Sequence, residues 1–219
     1  MVIRESYEKN LQELQSKMTE MVDLTVESLE KAFSAFKEQD NALALKVIEE
    51  DEEIDEIEND INQFIIWLMV KEQPVARDLR QVIGILKIAS DIERIADFSV
   101  NIAKSTIRIG TANSLLHLTD LESMKELSID MLNKSFKSFI SENMGLAKEV
   151  SQLDDKVDEL YEKNYMAITD YLKGHPEDTT QLVQLLFINR YLERVADHIT
   201  NVAESAAYLI KGRIYDFNA

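Results

Sequence analysis

Four pairs of acidic residues in this 219-residue chain share one spacing: Asp51 with Asp55, Glu93 with Asp97, Asp154 with Asp158, and Glu193 with Asp197. On a helix, residues four apart are neighbours, with Cβ atoms about 5–6 Å apart. Each pair therefore sets two carboxylates side by side. Two like charges so placed destabilise an isolated helix. A hard cation between them reverses that penalty, because carboxylate oxygens are the donors that Mg²⁺, Ca²⁺ and Mn²⁺ prefer. Glu93, Asp97 and Asn101 form a stripe beside the apolar line Ile92, Ala96 and Ala103, and Asp51 and Asp55 flank Ile54 in the same way. The acids thus stand at the edge of a core rather than opposite it. If the helices carrying the two pairs pack antiparallel, four carboxylates face one another, the logic by which helical bundles build di-metal sites.

A plainer reading competes. The chain has 41 Asp and Glu residues, and a single pair at this spacing is ordinarily a solvated face. Arg94 and Arg194 also stand three residues from Asp97 and Asp197, within reach of neutralising them without metal. The recurrence of the pairs in equivalent places favours cation binding. Other chemistries find less support. His198 follows Asp197 directly and so points about 100° away around a helix. His117 and His175 fall in or near connections, and the Glu-x-x-His motif of ferritin-like di-iron proteins is missing. There is no glycine-rich phosphate loop and no nucleophile–base pairing, so the residues give no positive support for an enzyme. Trp67 and the phenylalanines fall at helical spacing and read most simply as core.

The elements that position these acids are written twice. Shifted by 103 residues, Phe33 meets Phe136, Phe36 meets Phe139, Val47 meets Val150, Asp51 meets Asp154 and Asp55 meets Asp158. Shifted by 100, Glu93-Arg94 meets Glu193-Arg194, Ala96-Asp97 meets Ala196-Asp197, and Asn101 meets Asn201. The three-residue change lies around Pro74 and Pro176, where a connection absorbs it with least harm to packing. Each unit reads as three helices. Leu14, Met18, Met21, Leu29, Ala32 and Phe36 mark the first, and Val47, Ile54, Ile61, Ile65 and Leu68 the second. Val82, Ile85, Ala89, Ile92, Ala96 and Ala103 mark a third that stops near Gly110. Asp40 is placed to cap the second helix, Thr119 or Asp120 the fourth, and Asn143 the fifth. Pro176 with Glu177 and Asp178 suits the start of the last. The expected fold is all-α: six long helices in two tandem, similar three-helix bundles, residues 1–111 and 112–219.

Composition agrees. Five glycines and two prolines are too few for an all-β chain with its frequent turns. The longest apolar stretch, 61–70, falls short of the roughly 20 residues of a membrane span. Arg4, Glu5, Glu8 and Lys9 stand where an export signal needs an apolar core. The absence of cysteine removes disulfides and thiolate metal sites. A net charge of -17 repels nucleic acid and anionic lipid, and leaves room for cations. A cytoplasmic protein without nucleic-acid binding is expected.

The run Gln73-Pro74-Val75-Ala76-Arg77-Asp78-Leu79-Arg80, followed by Leu86-Lys87-Ile88, Asp91-Ile92-Glu93-Arg94-Ile95-Ala96-Asp97 and Asn101-Ile102-Ala103, resembles the PhoU family of phosphate-signalling proteins. Leu192-Glu193-Arg194-Val195-Ala196-Asp197-His198 with Asn201 resembles that family's second copy of the motif. The likeness covers nearly the whole chain. It implies a cytoplasmic negative regulator of phosphate uptake and of the phosphate-starvation response. The implied partners are the ATPase subunit of a phosphate ABC transporter and a sensor histidine kinase. It also implies a homodimer, and metal ions (Fe, Zn, Mn or Mg) held at Glu93, Asp97, Glu193 and Asp197, and with them Asp51, Asp55, Asp154 and Asp158. The second repeat departs where Glu177-Asp178-Thr179-Thr180 replaces Arg77-Asp78-Leu79-Arg80, so the two sites need not be equivalent. Two other readings stay open: a metal-dependent hydrolase or oxidase using the same carboxylates, and a metal-free helical adaptor.

Overall fold

The computed structural model describes residues 2–110 and 115–217, with side chains from residue 6 onward. The expected division at 111/112 lies outside the described residues. Six long helices appear in order: α1 (Val2–Glu38), α2 (Asn41–Glu72), α3 (Arg77–Ile109), α4 (Leu121–Ser141), α5 (Met144–Gly174) and α6 (Thr179–Lys211). Single 3₁₀ turns at Leu116–Leu118 and Pro176–Asp178 precede α4 and α6. Helices α1, α2 and α3 pack on one another, as do α4, α5 and α6. This is the duplicated three-helix bundle that the periodicity predicts.

The α1–α2 and α4–α5 turns share one chemistry. Gln39 and Glu142 each close a helix at positive φ, 56° and 50°. The next residue, Asp40 or Asn143, is extended and caps the following helix. Asp40 Oδ1 accepts from Ala42 and Leu43 N–H at 2.9 and 3.0 Å, and Asn143 Oδ1 accepts from Gly145 N–H at 2.9 Å. These oxygens satisfy amides that the first helical turn leaves unpaired. The start of α4 differs from expectation. Asp120 holds the cap position, but its side chain makes no capping bond; its own N–H donates instead to Asn164 Oδ1 at 2.8 Å. The last helix also begins later than Pro176, because residues 176–178 wind as the tighter 3₁₀ turn first.

The two bundles do not keep separate cores. Helix α3 is buried on two faces. One carries Val82, Ile85, Ala89, Ile92 and Ala96 toward its own bundle. The other, read at alternating steps of four and three, is Gly84, Ile88, Asp91, Ile95, Phe98 and Ile102, and it packs along α6. That 3.5-residue spacing is the pattern of a coiled-coil seam. Gly84 lets the two helices approach: a Cβ there would sit 2.7–2.9 Å from the Leu209 side chain. One hydrophobic core therefore runs through all six helices.

The core reading of Trp67 is corrected. It is 43% exposed on α2, stacked on Phe64 at 5.3 Å with Lys71 Nζ 4.3 Å above its ring. Helical spacing alone did not distinguish the inner stripe from its rim. Among the described residues no helix is long and apolar enough to cross a membrane.

Candidate functional site

Asp51 and Asp55 project from α2, and Glu93 and Asp97 from α3, so the first two acidic pairs belong to helices packed against each other. Their charges act on one another across that contact. Burial, then the charges of Asp55 and Asp97, push the Asp51 carboxyl up to about 6 despite Lys104. Burial, then the charge of Asp97, raise Glu93 to about 7, with Glu58 and Asp55 adding to the effect and Arg94 opposing it. Removing a carboxylate from water disfavours its charged form, and a like charge nearby does so again.

The second repeat rebuilds this arrangement between α5 and α6. Asp154 is buried, and burial followed by the charges of Asp158 and Asp197 raises it to about 7. Asp158 is raised by burial and then by Asp197, Asp155 and Glu162. Glu193 is raised by burial and Asp197, against Arg190 and Arg194. The eight acids expected from sequence thus fall into two groups of four, one per bundle, each spanning two helices.

Arginines compete for these groups. Arg94 Nη1 donates to Asp97 Oδ2 at 2.7 Å, and Arg194 Nη1 to Asp197 Oδ2 at 2.8 Å. Arg190 adds a bond to Glu193 Oε1 at 2.7 Å, at a position where the first repeat has Ser90. Among the described residues no three Asp, Glu or His side chains stand together as a ready-made ligand set. Even so, Glu193 Oε2 is buried without a hydrogen-bond partner; Arg194 Nε lies 3.7 Å off, beyond donating distance. A buried, unmatched carboxylate oxygen within a group of mutually repelling acids fits an all-oxygen cation site in donor type.

Sequence reasoning missed Glu58 and Glu162, each a turn beyond a named pair, and Lys104 and Arg190. The i,i+3 relation of Arg190 to Glu193 was a readable signal. The histidines lie elsewhere: His198 Nδ1 meets Asp91 Oδ1 at 3.0 Å in the α3–α6 seam, and His175 stacks on Tyr171 at 3.9 Å. Of the two arginines in the Arg77–Arg80 run, Arg77 pairs with Glu142 at 2.8 Å, while Arg80 is half-buried with its Nε unpartnered.

Fold and site together define a duplicated helical-bundle protein with one group of coupled acids in each repeat. The PhoU domain matches residues 18–106 and again 121–206, and the chain belongs to the PhoU family. It is 38% identical over 206 residues, 94% of this chain and 93% of the relative, to the "Phosphate-specific transport system accessory protein PhoU homolog" of Aquifex aeolicus. A protein of the same name from Clostridium acetobutylicum is 32% identical over 216 residues, 98% of this chain and 99% of its own. The crystal structure of PhoU from Pseudomonas aeruginosa superposes with a TM-score of 0.87 at 26% identity, over 94% of this chain and 100% of that one. The phosphate transport system regulatory protein PhoU from Streptococcus pneumoniae gives 0.84 at 28% identity, over 96% of this chain and 99% of that one.

Proposed function

We propose that this protein is a cytoplasmic accessory protein of a phosphate transport system. It restrains phosphate uptake and phosphate-starvation signalling by docking on the transporter's ATPase subunit, on a sensor histidine kinase, or on both. The names of its relatives supply the phosphate link. The observation that carries the mechanism is the pair of acidic groups, each holding repelling carboxylates across two helices.

Asp51 and Asp55 on α2 would hold a metal ion jointly with Glu93 and Asp97 on α3; Asp154 and Asp158 on α5 would do so with Glu193 and Asp197 on α6. A bound Fe, Zn, Mn or Mg ion supplies positive charge that offsets this repulsion. Without it, the carboxylates of Asp51, Glu93 and Asp154 hold protons into the neutral range or push their helices apart. Asp97, Asp197 and Glu193 are shared with Arg94, Arg194 and Arg190, so those arginines must release them for the acids to turn inward. Freed guanidiniums beside the acids then present donors to a partner surface. The net charge of -17 would fall with each ion taken up, altering which surfaces the protein can approach.

Elemental analysis of the purified protein, melting with and without chelator, and pull-down of the ATPase subunit from a phosphate transporter test this reading. Bound metal, a melting temperature lowered by chelator and restored by Mn²⁺ or Mg²⁺, and metal-dependent capture are expected. Metal-free protein indifferent to added ions, which still captures the ATPase, would favour the adaptor reading. The existing Arg94–Asp97 and Arg194–Asp197 pairs lend that second reading its support.

A further inference from the structure

After Gly212, which ends α6 at φ 69°, the chain leaves the helix and folds back over the α3–α6 seam. Phe217 N–H donates to Glu204 Oε1 at 2.7 Å, and Ser151 Oγ donates to the Phe217 carbonyl at 3.4 Å. The Tyr215 and Phe217 rings pack on the core with centroids 5.9 Å apart, while Ile214 between them and the helix end is 87% exposed. Beneath this strap lies a cavity of about 250 Å³, bounded by Ile83, Lys87, Glu204, Ser205, Tyr208 and Tyr215. A second hollow continues from Lys87 and Glu204 past Ser90, Asp91 and Asn201. The strap covers the groove without filling it.

We propose that this groove is a docking site for a partner's extended segment bearing two aromatic side chains at alternate positions, and that residues 213–217 occupy it until displaced. The strap itself shows what the groove accepts. An acceptor (Glu204) and a donor (Ser151) bracket one backbone residue, and the aromatic side chains supply the apolar contact. Burial raises the Glu204 carboxyl, as befits an acceptor drawn out of water beside the strap's N–H. The duplication did not generate this groove. The positions equivalent to Lys87, Glu204 and Tyr208 are Phe187, Lys104 and Arg108, and the opposite flank of the seam is filled by the rings of Phe98, Tyr191 and Phe187. Its lining is distinct from that of the two acidic groups, so it goes beyond the proposed function.

The test uses a fluorescent peptide of residues 211–217, read by anisotropy. A chain ending at Gly212 is expected to bind it. Glu204→Ala in that chain, or alanine at both aromatic positions of the peptide, should abolish binding. The full chain should bind at least about tenfold more weakly, because a tethered strap competes at an effective concentration on the order of millimolar. Should truncation unfold the protein, the full chain carrying Tyr215→Ala and Phe217→Ala opens the groove instead. Binding no better than that of the alanine peptide, or unchanged by Glu204→Ala, would overturn the proposal. The assay contains no metal and no transporter component, so its failure leaves the proposed function standing.

Discussion

His198 and Asp91 join the two repeats by one hydrogen bond. With its proton on Nδ1, the imidazole on α6 donates to Asp91 Oδ1 on α3 at 3.0 Å, and Asn201 Nδ2 donates to the same oxygen at 3.3 Å. The equivalent positions across the pseudo-symmetry are Phe98 and Tyr191, whose rings meet at 6.0 Å. One flank of the seam is thus polar and the other aromatic. Asp91→Ala leaves both donors without an acceptor and is expected to cost about 1–3 kcal/mol. For a chain of this size that lowers Tm by several degrees. A Tm equal to wild type by calorimetry would show that water replaces the carboxylate.

The crowded acids make stability fall with rising pH. Asp51, Glu93 and Asp154 titrate at about 6, 7 and 7 in the folded chain, above the unfolded carboxylate range near 4. Between those limits the folded state binds more protons than the unfolded one. Their contribution is therefore fully present below about pH 4 and is lost as pH rises through 6 to 7. In chelator, Tm should drop between about pH 4 and 7, and Asp154→Asn should flatten part of that drop. A flat profile in both proteins would contradict the burial of these charges.

A polar contact in the second bundle predicts a further asymmetry. Asn164 Nδ2 donates to Asn189 Oδ1 at 3.0 Å, and Asn189 Nδ2 donates to the Tyr161 carbonyl at 3.0 Å, all within the interior. The first repeat has Ile61 and Ala89 at these places, both fully buried. Asn189→Ala should cost about 1–3 kcal/mol by leaving the Asn164 amide to the weak Met124 sulfur acceptor. Adding Asn164→Ile also removes the acceptor of Asp120 N–H, yet the double change should cost less than the sum of the two single ones, measured by urea denaturation as a double-mutant cycle. Strict additivity would mean that the two amides act independently.

Gln73 ends α2 in the left-handed region, at φ 47° and ψ 54°, where a side chain is strained and glycine is not. Gln73→Gly is expected to stabilise by about 1 kcal/mol, raising Tm by about 2–4 °C. A lowered Tm would mean that the added freedom of the unfolded chain outweighs the relief.

Most of the fold was legible because each helix announces itself locally. The stripes of α1 and α2, the caps at Asp40 and Asn143, and the stop at Gly110 depend on residues within a turn or two. The grouping of the acids was legible for the same reason, given antiparallel neighbours. What escaped was long-range. The Gly84–Ile88–Asp91–Ile95 face of α3 does not stand out in sequence, since glycine and aspartate break its apolar pattern and its partner lies about a hundred residues away. The Asn164–Asn189 contact is hidden likewise, because nothing local to either residue names a partner on another helix. Trp67 failed in the other direction, as an apolar ring left outside.

The face that α3 turns toward α6 bears on dissection of the molecule. A fragment holding only residues 1–111 would keep its three helices but bare Ile88, Ile95 and Ile102 to water; a fragment of 112–219 would bare Ile188, Val195 and Val202. Neither piece should behave as a well-mannered monomer. Mixed together they should find each other, and alone each should find its own copy, because the two surfaces descend from one ancestral sequence and share its spacing.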